Sequence, residues 1–433
     1  MTPSARSVAL SAIRRVTEGQ AYSNLVVPAS LRRSGMSRED RSLASELAYG
    51  TLRRLVTLDA AIEPHLRRGL EATPPEALAV LRLGTYQLLF TRIPSYAAVS
   101  STVDLTAGRQ RGFVNAVLRR IERAGLRLPE GSSDLDVSVR TGLSAWAVRE
   151  LRRHVPEAEL EPAAAAFAEP APLTVRVNPC VASEREVSAA VRAAGVEVRR
   201  SSVHDGSLLL EGASSPVDVP GFREGAFAIQ DAASAFVVDA LDPRPGERIH
   251  DACAAPGGKS GDVACRVGAE GALVAGDVAL RRAGLVVEQL RRLRVGGSVL
   301  VQDARRPALR PAFDRVLVDA PCSGIGSARR RPELLWRVTP DRLAGLARLQ
   351  VAIAEAAADL LRPGGRLVYS VCTFPRAETD AACDALLRHR PELRPAPVRG
   401  PEGTATRVRL WPHRHGTDGM FVAAFVKADD GPG

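Results

Sequence analysis

Asp251-Ala252-Cys253-Ala254-Ala255-Pro256-Gly257-Gly258-Lys259-Ser260 is the stretch on which the fold turns. A short β-type run, Arg248-Ile249-His250, leads into it and a helix-type run follows. Strand, glycine turn and helix start together make a nucleotide-type cradle. The glycines admit a ligand close to the backbone, and the first helical N–H groups lack partners inside the helix.

Outward from this turn, residues 226–433 alternate strands and helices. Strands are expected at Ala272–Asp277, Val299–Asp303, Arg315–Asp319 and Arg366–Ser370, with a helix over Asp341–Leu361 stopped by Pro363-Gly364-Gly365. Repeated β-α units imply a largely parallel, Rossmann-like sheet covered on both faces. Ligands bind such sheets outside the carboxyl ends of the strands. Asp251, Asp277, Asp303, Asp319 and Cys372 all fall at or just past strand ends, so one crevice can gather them. Arg407–Leu410 and Met420–Val426 predict an antiparallel finish.

Asp277 lies 26 residues after Asp251, where an acid accepts hydrogen bonds from ribose hydroxyls. Cys253–Ser260 also resembles a phosphate-binding P-loop. Cysteine replaces its leading glycine, however, and Pro256 lacks a backbone N–H that a phosphate nest needs. Cys322, in Asp319-Ala320-Pro321-Cys322-Ser323-Gly324, and Cys372, in Ser370-Val371-Cys372-Thr373, follow two strands that are neighbours in the usual order. Both thiols then face one crevice. Cys180, Cys265 and Cys383 have no such setting and read as structural, and His250 reads as a satisfied sheet residue.

Upstream, residues 1–130 predict an all-α domain, with apolar residues at helical spacing and breaks at Ser34-Gly35, Thr73-Pro74-Pro75 and Ile93-Pro94. Residues 131–172 predict a helical connector. Residues 173–225 predict a small α+β unit with strands at Leu173–Val177, Val196–Val198 and Ser207–Leu210, suited to RNA recognition. With 59 basic and 49 acidic residues, the net charge of +10 favours a polyanionic partner, nucleic acid first. Lys259 and Lys427 are the two lysines in an arginine-rich chain, so an ammonium in the turn is notable. No cysteine pair has C-x-x-C spacing, which argues against a zinc site, and no membrane-length apolar run or secretory signal stands out. Reduced thiols, a cytoplasmic location, no metal, no membrane partner and a monomer are the expectations.

Asp251–Ser260, Asp319–Ser323 and Val371-Cys372-Thr373 resemble the motifs of RNA cytosine-C5 methyltransferases of the Sun type. Glu46–Gly50, Leu81–Leu88 and Gly112–Arg120 resemble a NusB-like RNA-binding domain. The combination is that of the bacterial RsmB/Sun ribosomal RNA methyltransferases, which Pro172–Pro179, Gln230–Ser234 and Trp411-Pro412-His413 also fit. Val371, Val278-Ala279-Leu280 and Met420 depart from the usual pattern.

The resemblance implies methyl transfer from S-adenosyl-L-methionine to C5 of a cytosine in small-subunit 16S ribosomal RNA. Cys372 would be the nucleophile and Cys322 would assist release. Asp319 would meet the base edge, and Lys259 would tune a thiol. Cys253, Ala254, Ala255, Pro256, Gly257, Gly258, Lys259, Asp277, Asp303 and Asp319 would line the cofactor site. Arg329-Arg330-Arg331 and Trp336 are expected to grip RNA. The competing readings are transfer to tRNA or 23S rRNA, a nitrogen methyltransferase, and a non-enzymatic ribosome-assembly factor. The nitrogen enzymes favour an aromatic residue after Asp-Pro-Pro, where this chain has Cys322 after Asp-Ala-Pro.

Overall fold

A computed structural model describes residues 3–212 and 216–429. It divides into two compact units. The first runs to Pro170 and adds Ser327–Thr339, and the second comprises Ala171–Gly326 and the chain from Pro340 onward.

The first unit is all helical among its described residues. Its opening helix, Ala5–Thr17, starts where the Ser4 side chain accepts from the Ser7 N–H, and it buries Val8, Ala9, Ala12, Ile13 and Val16. Those positions recur at three and four residues, so one stripe faces the core. Ser37 caps Arg38–Arg53 in the same way, with Glu39 and Asp40 in the positive first turn. Pro75–Phe90 and Gln110–Ala124 complete a core that includes Leu47, Leu52, Leu81, Leu83, Val114 and Leu118. The connector contributes Asp134–Thr141, Ala145–Leu151 and Glu157–Ala166, and the first of these starts with a Ser133/Asp136 capping box.

The second unit opens with a small sheet. Strands β1 (Leu173–Val177), β2 (Glu197–Arg200), β3 (Ser207–Glu211) and β4 (Phe227–Ile229) pair antiparallel in the order β2-β3-β1-β4. Strand β4 lies past residue 225, so the small sheet reaches further along the chain than its expected end. Three residues, Phe-Ala-Ile, carry too little pattern to announce a strand. Its register, Val175 to Ile229 and Val177 to Phe227, is set by β1.

The larger sheet contains β5 (Arg248–Asp251), β6 (Ala272–Asp277), β7 (Ser298–Val301), β8 (Phe313–Asp319), β9 (Leu361–Val371), β10 (Leu393–Ala396), β13 (Arg407–Leu410) and β14 (Met420–Lys427). A separate two-stranded pair, β11 (Val398–Gly400) and β12 (Gly403–Ala405), lies between β10 and β13. The main order is β10-β14-β9-β8-β5-β6-β7. The pairs from β9 through β7 are parallel, and β14 runs antiparallel to β9, β10 and β13. The sheet is therefore mixed, with the antiparallel finish expected of the last strands. Both faces are covered by apolar clusters, one centred on Val237, Val263 and Val286 and the other on Ile353, Ala357 and Leu386. Strand β9 starts at Leu361, directly after the helix Pro340–Leu360, so Pro363-Gly364-Gly365 lies inside a strand instead of before one.

One expectation fails here. Cys180 and Cys265 form a disulfide with their Cα atoms 5.9 Å apart, so not every thiol is free. The pair joins the turn after β1 to the helix Gly258–Val267, a proximity that a separation of 85 residues hides. Arg329-Arg330-Arg331 and Trp336 belong to the helical unit, not to the catalytic sheet. Trp336 packs on the helical core and its indole N–H donates to the Leu52 carbonyl at 3.2 Å. Buried Arg329 donates to the Pro170 carbonyl at 3.1 Å, and Arg331 donates to Ser327 Oγ at 2.7 Å. Arg337, one residue on, donates to the Val16 and Ala21 carbonyls at 2.6 and 3.1 Å. Arg329 and Trp336 thus satisfy backbone acceptors within the helical unit, Arg329 buried and Trp336 partly buried against its core.

Candidate active site

The glycine turn bridges β5 and the helix Gly258–Val267. The Ala254 N–H donates to the Gly276 carbonyl at 2.8 Å and the Gly257 N–H to Ala254 at 2.7 Å, which folds the turn back on itself. The Ala255–Pro256 peptide is cis. Gly257 has φ +101°, and a Cβ there would lie 3.1 Å from both Gln289 Cβ and Val286 Cα. Only glycine fits both the conformation and the space.

Asp251, at the end of β5, is fully buried, and its Oδ2 accepts the Ser260 hydroxyl at 2.6 Å. Burial pushes its carboxyl up to about 6, with the charge of Asp319 adding to the shift. Burial likewise pushes the Cys253 thiol up, so Cys253 lines the turn as a neutral group. His250 points sideways: its Nδ1 bonds the Val274 carbonyl at 2.8 Å and burial lowers its pKa to about 4, as a satisfied sheet residue should behave.

Asp277 ends β6 and is buried, with Arg282 Nε 3.1 Å from each carboxylate oxygen. Arg282 Nη2 also donates to the Ala255 carbonyl at 3.2 Å, so one guanidinium spans the acid and the turn. Asp303 lies past β7 and is held by Arg305 at 2.5 to 3.0 Å, which lowers its carboxyl to about 2.

Asp319 and Ser370 are register partners on neighbouring parallel strands β8 and β9. Each is followed within a few residues by a cysteine, and this brings Cys322 Sγ and Cys372 Sγ to 3.4 Å. Lys259 Nζ donates to Asp319 Oδ2 at 2.7 Å, and the Ser370 hydroxyl donates to Oδ1 at 2.8 Å. Burial opposes the ammonium charge, but Asp319 outweighs it, with smaller help from Cys372 and Asp251, and the pKa of Lys259 is raised. Its field in turn favours an anionic Cys372. Cys322 is pushed well above the ordinary thiol value by its hydrogen bond to Cys372, then by burial, and it keeps its proton at neutral pH.

Five residues outside the expected set complete the site. Glu378, Gln350, Tyr369 and Ser370 are buried behind the cysteines, and Arg282 covers Asp277. The Ser370 signal was present, as the residue two before Cys372. Glu378 sits in a polar run, Glu378-Thr379-Asp380, that reads as an ordinary helix start.

The cradle fits a nucleoside cofactor on its own geometry. Gly257 and Gly258 keep side chains out of it. Gln230 accepts from Arg176 Nε through its Oε1 at 2.9 Å, while its buried Nε2 has no hydrogen-bond partner among the described residues. That amide lies 3.9 Å from where a Cβ on Gly258 would stand, so a donor is held in reserve beside the helix start. Among the described residues no cluster of metal-ligating side chains occurs, and no helix is long and apolar enough to cross a membrane.

A glycine turn, strand-end acids and a Rossmann-like mixed sheet are shared by nucleoside-cofactor enzymes, methyltransferases among them. Models of three families match in succession: the NusB family over residues 3–123, the ferredoxin-like domain of RsmF/B-like methyltransferases over 143–218, and 16S rRNA methyltransferase RsmB/F over 238–426. A probable ribosomal RNA small subunit methyltransferase B of Synechocystis is 34% identical, across 98% of this chain and 100% of its own length. The ribosomal RNA small subunit methyltransferase B of Vibrio cholerae is also 34% identical, across 98% and 97%. Among solved structures, PH0851 superposes with a TM-score of 0.84 at 26% identity, across 99% of this chain and 100% of that one. A methyltransferase homologue from Pyrococcus horikoshii superposes with a TM-score of 0.59 at 27% identity, across 69% and 99%. The chain belongs to the RsmB/F family of 16S rRNA methyltransferases.

Proposed function

We propose that this enzyme methylates C5 of one cytosine in small-subunit 16S ribosomal RNA through a covalent bond between Cys372 and C6 of the base. The observation that carries the reading is the pair of thiols 3.4 Å apart beside the Lys259–Asp319 ion pair. S-adenosyl-L-methionine is the proposed cofactor; when bound it supplies an electrophilic methyl group. Cys253 to Lys259 and Asp277 would hold it, with Arg282 shifting from Asp277 to free the acid for ribose hydroxyls. Asp303 keeps its Arg305 partner and would contribute at the rim.

C5 of cytosine is too electron-poor to be alkylated unaided. The Cys372 thiolate adds to C6, the Sγ–C6 bond forms, and the C5–C6 π pair becomes available at C5. Asp319 meets the Watson–Crick edge by accepting from the exocyclic amine. After C5 is alkylated, Cys372 is a neutral thioether, so the main cause of the high Cys322 pKa is gone. Cys322 then loses its own proton to solvent and takes the C5 proton. The C5–H pair restores C5=C6, and Cys372 leaves as thiolate.

The helical unit is the proposed RNA-docking domain and the small sheet a second RNA contact. A base stacked in a helix must first be flipped into the crevice. The cytoplasm, where ribosomal RNA is made and assembled, is the proposed location. Bisulfite sequencing of 16S RNA after reaction with wild type and with Cys372→Ala tests the reading. One cytosine protected by wild type alone supports it. Methyl incorporation with no protected cytosine rejects C5 as the acceptor.

A further inference from the structure

Buried Glu378 collects four donors, three from the two cysteine turns and one from Gln350 on the helix Pro340–Leu360. Its Oε1 accepts the Ser323 N–H at 2.8 Å and Gln350 Nε2 at 2.9 Å. Its Oε2 accepts the hydroxyls of Ser323 and, at 3.4 Å, Thr373. Ser323 follows Cys322, and Thr373 follows Cys372. The two hydroxyl oxygens are also 2.7 Å from each other. Gln350 reaches the other flank of Cys322 by donating to the Pro321 carbonyl at 3.0 Å. The Tyr369 hydroxyl locks the far side, bonding the Glu378 carbonyl at 2.6 Å and Gln350 Oε1 at 3.1 Å.

A carboxylate with no solvent exposure is costly to bury unless every lone pair is used. Here three of its four donors belong to Ser323 and Thr373, the residues next to the two thiols. Glu378 therefore holds the two turns through these hydrogen bonds, and its charge adds a smaller upward push to the Cys322 thiol pKa. We propose that Glu378 is a positioning residue that clamps the β8 and β9 turns together and thereby sets the Cys322–Cys372 spacing. The inference deepens the two-cysteine reading above and rests on it for its catalytic consequence.

The variant Glu378→Gln keeps the shape but presents an N–H₂ group to donors. A loss of about 1 Å in alignment lowers rate about 100-fold. The predicted outcome is a kcat about 100-fold lower, with KM for S-adenosylmethionine within about twofold because the cradle is untouched. Glu378→Asp should recover part of kcat.

A second readout avoids turnover altogether. Phenylarsine oxide closes a ring across two adjacent thiols with loss of water. Wild type should bind one equivalent in a manner abolished by Cys322→Ala, and Glu378→Gln should bind at least about tenfold more weakly. If Glu378→Gln does not fold, Ser323→Ala/Thr373→Val removes the same clamp from the other side, and the same loss is expected.

Wild type without a Cys322-dependent arsenical site overturns the proposal. So does Glu378→Gln, or the double variant, with arsenical affinity and kcat within about twofold of wild type. Failure of the C5 chemistry would show as no RNA adduct while the arsenical result stands, so the two failures are separable.

Discussion

Replacing Asp251 by Asn should stabilise the protein at neutral pH. The Asp251 carboxyl is buried at the end of β5, with the Ser260 hydroxyl as its close partner. Its pKa rises from 3.8 to about 6 because burial disfavours the charge and Asp319 repels it. The folded chain therefore holds the proton more tightly than the unfolded chain. Stability is lost as pH rises from near 4 to near 6 and stays lost above, where ionised Asp251 costs about 3 kcal/mol. Asn cannot ionise, and its carbonyl can still take the Ser260 hydroxyl. The amide group it introduces offsets about 1 kcal/mol of the gain. The variant should thus be more stable by about 1–3 kcal/mol at pH near 8. The difference from wild type should shrink by about 1.4 kcal/mol on going to pH near 5. Paired urea unfolding of the two proteins across this range, read by near-ultraviolet circular dichroism, measures the gap directly. A gap independent of pH, or a variant less stable at pH 8, would refute the reasoning that burial charges this site with unfavourable energy.

Gly257→Ala meets both a positive φ and a Cβ 3.1 Å from Gln289 and Val286, so it should cost about 2–4 kcal/mol and lower the melting temperature as well as cofactor affinity. Lys259→Met removes the cation beside Asp319 and Cys372; alkylation of Cys372 by iodoacetamide should slow and its pH midpoint should move up, read by mass spectrometry of the labelled peptide. Trp336→Ala should lower the stability of the helical unit by about 2–4 kcal/mol through lost packing and its lost Leu52 bond, measured by calorimetry, while the salt dependence of RNA binding by the folded protein stays unchanged.

The parallel β-α architecture was legible because each strand end carries its own marker. Asp251, Asp277 and Asp319 end β5, β6 and β8, and the pairing of β8 with β9 follows from the ordinary order of such sheets. The cysteine pair was legible for the same reason: a turn after each of two adjacent strands can face only one crevice. What was not legible depends on contacts far along the chain. Leu334-Leu335-Trp336 is too short an apolar run to show that it completes a helical core begun some 280 residues earlier. The Cys180–Cys265 pair and strand β4 are likewise set by tertiary proximity. Glu378 escaped because a buried carboxylate and an exposed helix-start acid look alike until the donors around it are known. Arg282 escaped because an arginine on a basic helix, Arg281-Arg282, reads as a solvated face, and only the fold brings it over Asp277.

The central claim is that Cys372 attacks the base and Cys322 releases it. The most direct measurement is a denaturing gel of Cys322→Ala and Cys372→Ala after incubation with 16S RNA and S-adenosylmethionine. Cys322→Ala should accumulate a covalent RNA adduct, and Cys372→Ala should be inactive and form none. A Cys372→Ala protein that still transfers methyl groups, with no adduct from either variant, would contradict the account.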